Sequence, residues 1–234
     1  MNFLYHYTSI DTLALILKNR SIRFNSLSKV DDKEECLMDD LGNLGNSVLV
    51  SCWTRDKLES IPLWKMYSSN FQGCRIALDE NMFSQFQPED DKFTVLNLHD
   101  NSNLLVISHD FLRDMKYVKS FSKRTLISED KAYRLGVLGR EKNIVWEFQK
   151  ECRFYIHQFS NLKNLDDFYN SNIDLNESYK YDFYDLKVDE TAINNIIVTL
   201  GPKCNYGHKI IVKTLLDKYT DNGIIELSSL TGKV

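Results

Sequence analysis

The chain opens on an aromatic, partly alternating run from Phe3 to Tyr7, which reads as a short β-strand. Thr8 or Ser9 then stands at a helix start, with Asp11 in the first turn near the positive end of the helix dipole. Ile10, Leu13, Ala14 and Leu17 recur at helical spacing and predict an amphipathic helix. Ile22 and Phe24 alternate with polar neighbours as a second short strand. The polar run from Asn25 to Glu35, rich in Ser and Asp, reads as a loop entering a helix. Val48 to Trp53 is the clearest buried strand of the first half. Thr54 to Pro62 reads as a loop, Leu63 to Tyr67 as the start of a short helix, and Arg75 to Leu78 as a strand after Gly73.

In the second half, Leu112, Met115, Val118 and Phe121 recur at threes, so Phe111 to Leu138 reads as helical. Trp146 to His157 follows, and Cys152, Phe154 and Ile156 alternate as a strand. The interval 160–190, of which Ser160 to Asp185 is crowded with Asn, Asp and Tyr, reads as a long loop or excursion. Ile193 to Leu200 is an apolar strand ending at Gly201-Pro202. Lys209 to Tyr219 is an amphipathic helix, Asn222-Gly223 a turn, and Ile224 to Leu227 a last strand. No repeat and no linker divides residues 1–234, so the expectation is one α+β domain, a mixed sheet flanked by helices.

Composition narrows the setting. A chain of 234 residues buries enough surface to need no disulfide or metal staple. No apolar run approaches the roughly 20 residues of a membrane helix, and no basic-then-apolar leader opens the chain. The five cysteines are scattered and never form C-x-x-C, which fits reduced thiols in a cytoplasmic protein. A net charge of −4 supplies no broad basic field for nucleic acid. A local basic groove would have to come from Lys116, Lys119, Lys123, Arg124, Lys131, Arg134 and Arg140, which read more simply as a solvated helical face.

The standard chemical motifs are absent. The chain has no G-x-G-x-x-G, no phosphate-cradling glycine loop, no H-E-x-x-H and no G-x-S-x-G. Its five histidines never pair at ligand spacing, so no metal site is expected. Four places collect polar residues at strand edges. They are His6-Tyr7-Thr8; Asn25 through Asp31, Asp32 and Glu35; Arg55 with Trp64 and Tyr67; and Trp146 with Glu147, Glu151 and Arg153. Each has a structural explanation as well. His6 could hydrogen-bond in the core, the acids at 31–35 could begin a helix, and Glu151 with Arg153 could be an ion pair on one strand face.

Three segments taken in order carry a resemblance: L-Y-H-Y-T-S at Leu4 to Ser9, L-W-K-M-Y-S-S-N-F-Q-G-C at Leu63 to Cys74, and W-E-F-Q-K-E-C-R at Trp146 to Arg153. Together with Ile197 to Gly201 they resemble the bacterial and phage family known as domain of unknown function 2971. Asp32-Lys33 departs from that family's Asp-Pro, and Gln149 stands where the first acid of its E-x-E pattern sits. A second resemblance, by order and residue type, is to ADP-ribosyltransferases, especially the DarT-type toxins that modify DNA. It implies an ADP-ribosyltransferase-like fold, NAD as substrate and a protein or nucleic-acid target. The implied setting is a toxin-like effector or phage–host conflict.

On that resemblance Glu151 is the catalytic carboxylate and His6 its partner on the first strand. His6 and Thr8 would orient the ribose of NAD, and Arg55 would grip its pyrophosphate. Tyr67 or Trp64 would stack on nicotinamide, Tyr7 would line the pocket, and Arg153 would orient Glu151. Two other readings stand beside it. One is a non-catalytic nucleotide- or partner-binding module on the same fold, favoured by Gln149. The other is a metal-dependent nucleic-acid-processing enzyme built on Asp31, Asp32 and Glu35.

Overall fold

The computed structural model describes residues 2–86, 93–97, 103–107, 111–129, 134–159 and 181–234. Strand β1 (Phe3–Thr8) leads into α1 (Ile10–Asn19), where Ser9 caps by accepting from the Thr12 N–H and Arg20 closes the helix in the left-handed conformation. Leu13, Ile16 and Leu17 form its buried stripe, each contributing about 1.5–3 kcal/mol by burial. Strand β2 (Ser21–Ser26) follows, then two 3₁₀ turns, Leu27–Lys29 and Lys33–Cys36, in place of the expected helix. Next come β3 (Val48–Thr54), α2 (Ile61–Tyr67, with Pro62 in its first turn) and β4 (Cys74–Asp79). The second half supplies β5 (Phe93–Asn97), β6 (Asn103–Ile107), β7 (Leu112–Asp114) and β8 (Glu151–Phe159). It ends with β9 (Phe183–Lys187), α3 (Glu190–Asn194), β10 (Ile197–Leu200), α4 (Tyr206–Tyr219) and β11 (Ile224–Leu227).

These eleven strands form one mixed sheet among the described residues, with the order β11-β10-β4-β1-β3-β8-β6-β5. Strand β9 pairs with β2, and β2 with β3, while β7 pairs with β8. Two short ribbons stand apart: Leu37–Met38 with Gly42–Asn43, and Lys116–Val118 with Glu141–Asn143. One face of the sheet buries Leu49, Trp53, Phe154 and Ile156 with Leu4, Ile76, α1 and α4. The other carries a smaller core of Val48, Val50 and Tyr155 against Leu27, Cys36, Met38, Leu126 and Leu138. The protein is therefore a mixed α/β fold built on a single large sheet. Among the described residues no helix is long and apolar enough to cross a membrane.

Three elements differ from the pattern reading. The described part of Phe111 to Leu138 holds no α-helix, only a 3₁₀ turn at Leu135–Val137. Leu112–Asp114 pairs with Phe154–Cys152 of β8, and Lys116–Val118 pairs with Glu141–Asn143. The spacing of threes mimics a helix, yet tertiary pairing to β8 overrides that local preference. Within Ile193 to Leu200 only Ile197–Leu200 is strand, because α3 turns the chain at Ile193 first. Of the predicted excursion, Phe183–Lys187 is a regular strand beside β2, while residues 160–180 lie outside the described ones.

One feature of the sheet positions the site. Both β1 and β2 approach the same edge of β3. β2 pairs at Asn25↔Val50 and Ser26↔Leu49, β1 only at Tyr5↔Thr54. The opposite edge of β3 is paired with β8 from Val48 to Thr54. The sheet thus forks at Ser51, Cys52 and Trp53, and His6 spans the gap by bonding the Cys52 carbonyl at 2.8 Å.

Candidate active site

A cavity of about 450 Å³ opens at this fork, a size typical of small-molecule sites. Side chains reach it from both sides because successive residues of a strand point to opposite faces. Register with Thr54 puts Tyr5 and Glu151 on one face and leaves His6, beside Trp53, on the other. His6, Tyr7, Tyr67, Glu151 and Arg153 all line the cavity.

The His6 hydrogen bond decides its tautomer. A carbonyl oxygen only accepts, so Nδ1 carries the proton and donates to Cys52. Burial of the ring lowers its pKa, a shift that the Cys52 hydrogen bond partly offsets. The imidazole is therefore neutral, and Nε2 presents a lone pair. The ring lies 5.1 Å from that of Trp53, whose Nε1 is held by Ser51 Oγ at 2.9 Å.

Glu151 begins β8 immediately after Lys150, which takes the left-handed conformation at φ 43°. That kink ends the 3₁₀ turn Ile144–Gln149 and aims the next side chain into the fork. Arg153 Nε bonds Glu151 Oε1 at 2.5 Å, and its Nη2 bonds Oε2 at 3.1 Å. The same guanidinium grips Glu35 through Nη1 and, at 3.2 Å, through Nη2. Lys142 Nζ completes a four-charge cluster, 3.0 Å from Glu151 and 3.2 Å from Glu35. Arg153 and Glu35 are fully buried, Lys142 and Glu151 nearly so. Burial alone would raise the Glu151 pKa, but the charges of Arg153 and Lys142 outweigh it and hold it at about 2.

Tyr67 closes the cavity from α2. Its hydroxyl donates to Asp31 Oδ2 at 2.5 Å and accepts from Gln149 Nε2 at 2.8 Å. Burial, then the Asp31 carboxylate, pushes its pKa well up, so the phenol stays protonated. Burial also pushes the Cys52 thiol well up, which leaves no thiolate nucleophile at this cavity residue.

The other expected residues stand elsewhere. Arg55 points away to the surface, where it pairs with Glu80 at 2.5 Å and Asp114 at 3.1 Å. Trp64 is fully buried, donates to Glu59 at 2.9 Å and packs edge-on to Tyr7 at 4.9 Å. Thr8 is buried at the end of β1, where a Cβ on Gly73 would fall 2.2 Å from its carbonyl, so that pairing requires glycine. None of these three lines the cavity. The acids at 31–35 do not converge. Asp31 serves Tyr67, Asp32 caps a 3₁₀ turn, and Glu35 lies against Arg153. The basic stretch is likewise dispersed among the described residues, with Lys116 on Glu141, Arg124 on the Glu34 carbonyl and Arg140 on that of Gly136. Lys131 lies outside the described residues.

Lys142, which also lines the cavity, carries no sequence signal of a site, whereas Asn25, another lining residue, opens the polar cluster that runs to Glu35. Comparison with known families, with curated proteins and with solved structures finds no match for this chain.

Proposed function

We propose that this chain is an NAD-consuming transferase with an ADP-ribosyltransferase-like fold, and that the sheet fork holds the dinucleotide. The observation that carries this reading is Glu151, a buried carboxylate kept ionised by Arg153 and Lys142 on the wall of a ligand-sized cavity. Breaking the nicotinamide–ribose bond builds positive charge on the ribose. A fixed carboxylate stabilises that charge without taking up a proton. With a pKa near 2, Glu151 acts through its charge and not as a base at neutral pH.

His6 reaches the cavity from the other face of the fork, so an extended ligand lying across the fork touches both residues. Its Nε2 accepts a ribose hydroxyl and fixes the sugar against Glu151. Tyr67 flanks the nicotinamide, with Trp53 beyond His6. The resemblance in order and residue type to the DNA-modifying toxins supports this reading, whereas that to domain of unknown function 2971 supplies no activity; phage–host conflict is the setting we propose.

One observation favours the binding-module reading. Both Glu151 oxygens already accept from Arg153, and one also from Lys142, so few lone pairs remain for a ribose. Incubation with NAD labelled in the nicotinamide ring, with lysate or oligonucleotides as acceptors, separates the two. Nicotinamide release that disappears in Glu151→Gln and His6→Ala supports the transferase. Calorimetric NAD binding without release supports the module, and absence of both refutes the NAD assignment.

A further inference from the structure

Gln149 ends the 3₁₀ turn that delivers Glu151, and it lines the same cavity. It is 5 % exposed, and its Oε1 is buried with no hydrogen-bond partner. A buried acceptor without a donor costs free energy in the empty protein, and a ligand that brings the donor recovers it. The orientation of this amide follows from its neighbours. Asp31 only accepts, so the Tyr67 hydroxyl must donate to it. The Tyr67 oxygen must then receive its hydrogen bond from the Gln149 NH₂ group. The relay from Gln149 through Tyr67 to Asp31 therefore leaves the amide oxygen free to accept.

We propose that Gln149 is a specificity-determining residue: its amide oxygen accepts an N–H from an uncharged carboxamide on the ligand in the fork. This rests on the NAD reading and deepens it by selecting the amide form of the pyridine ring over the acid form. A ligand carboxylate offers no hydrogen to Oε1, and it would bring a negative charge toward Asp31 and Glu151. Sites built around a ligand N–H discriminate strongly against analogues that lack it, because the protein's own polar group is then left unpaired.

The test is calorimetry of the full chain with two probes, NAD and its nicotinic acid counterpart. The wild type is expected to bind the amide form about tenfold more tightly or better, as one recovered hydrogen bond implies. Gln149→Leu is expected to lose that preference while keeping the far-ultraviolet circular dichroism of the wild type. Tyr67→Phe, which removes the acceptor that orients the amide, is expected to erode it and decides the matter should the leucine variant not fold. Equal binding of the two probes by the wild type, or a preference retained in Gln149→Leu or in Tyr67→Phe, overturns the role of Gln149 and leaves the NAD reading standing. Failure of the wild type to bind either probe overturns both.

Discussion

Two ionic clusters flank the end of β3, and they differ in almost everything except residue type. On one side Arg55 reaches Glu80 and Asp114 at the surface, with its side chain 43 % exposed. On the other, Arg153 sits between Glu35 and Glu151 with no exposure and Lys142 alongside. Water screens the first cluster, and each of its members would be well solvated alone. The second has lost that option, so every charge depends on the others. The buried set therefore has a fixed geometry suited to a site, while the surface set does not. Composition cannot tell them apart, because both are an arginine between two acids.

Breaking the buried cluster should produce the largest effect. Arg153→Met leaves two buried carboxylates facing one lysine and should destabilise the fold by about 3–5 kcal/mol in urea unfolding. A cost below about 1 kcal/mol would show that the cluster is hydrated and erase the contrast. Lys142→Met should cost less, about 1–3 kcal/mol, since Arg153 still grips both acids. Its sharper consequence is on Glu151, whose carboxyl resonance should titrate clearly above the present value of about 2 by carbon NMR.

Acid titration probes the same asymmetry. The Glu151 pKa is depressed in the folded protein, so its contribution to stability is present above the unfolded value of about 4.3. That contribution is lost as pH falls toward 2. His6 is also lowered, so the unfolded chain takes up its proton first, and stability declines once pH drops below about 6.5. The urea midpoint should fall in two stages on acidification, and His6→Gln should flatten the upper one. The smallest effect belongs to the surface cluster. Arg55→Ala should cost about 0–1 kcal/mol, a loss that salt reduces further, and should leave NAD binding unchanged. A loss of binding in Arg55→Ala would return that residue to the site and collapse the comparison.

Parts of the site were visible along the chain. His6, Tyr67, Glu151 and Arg153 stand in aromatic and charged clusters at strand or helix ends, and all four reach the cavity. Arg55 and Trp64 belong to a cluster of the same kind, yet one turns to the surface and the other into the core. Lys142 stood in no cluster, because its partners come from a distant 3₁₀ turn and from β8. Glu35 was visible as an acid, but its partner Arg153 lies 118 positions away.

The sequence by itself determined the elements whose signals are local. The alternation of β1, the Ser9 cap and stripe of α1, the apolar run of β3 and the amphipathic α4 all depend on neighbours within a turn or a strand. Tertiary structure alone decided what depends on pairing between distant segments. It turned the apparent helix after Phe111 into one strand along β8 and another paired with Glu141–Asn143, and it brought β1 and β2 to one edge of β3 so that the sheet opens at Cys52. The physical reason is the same in each case. A backbone group or a charge leaving water must find a partner, and the chain's path through space decides which partner is within reach.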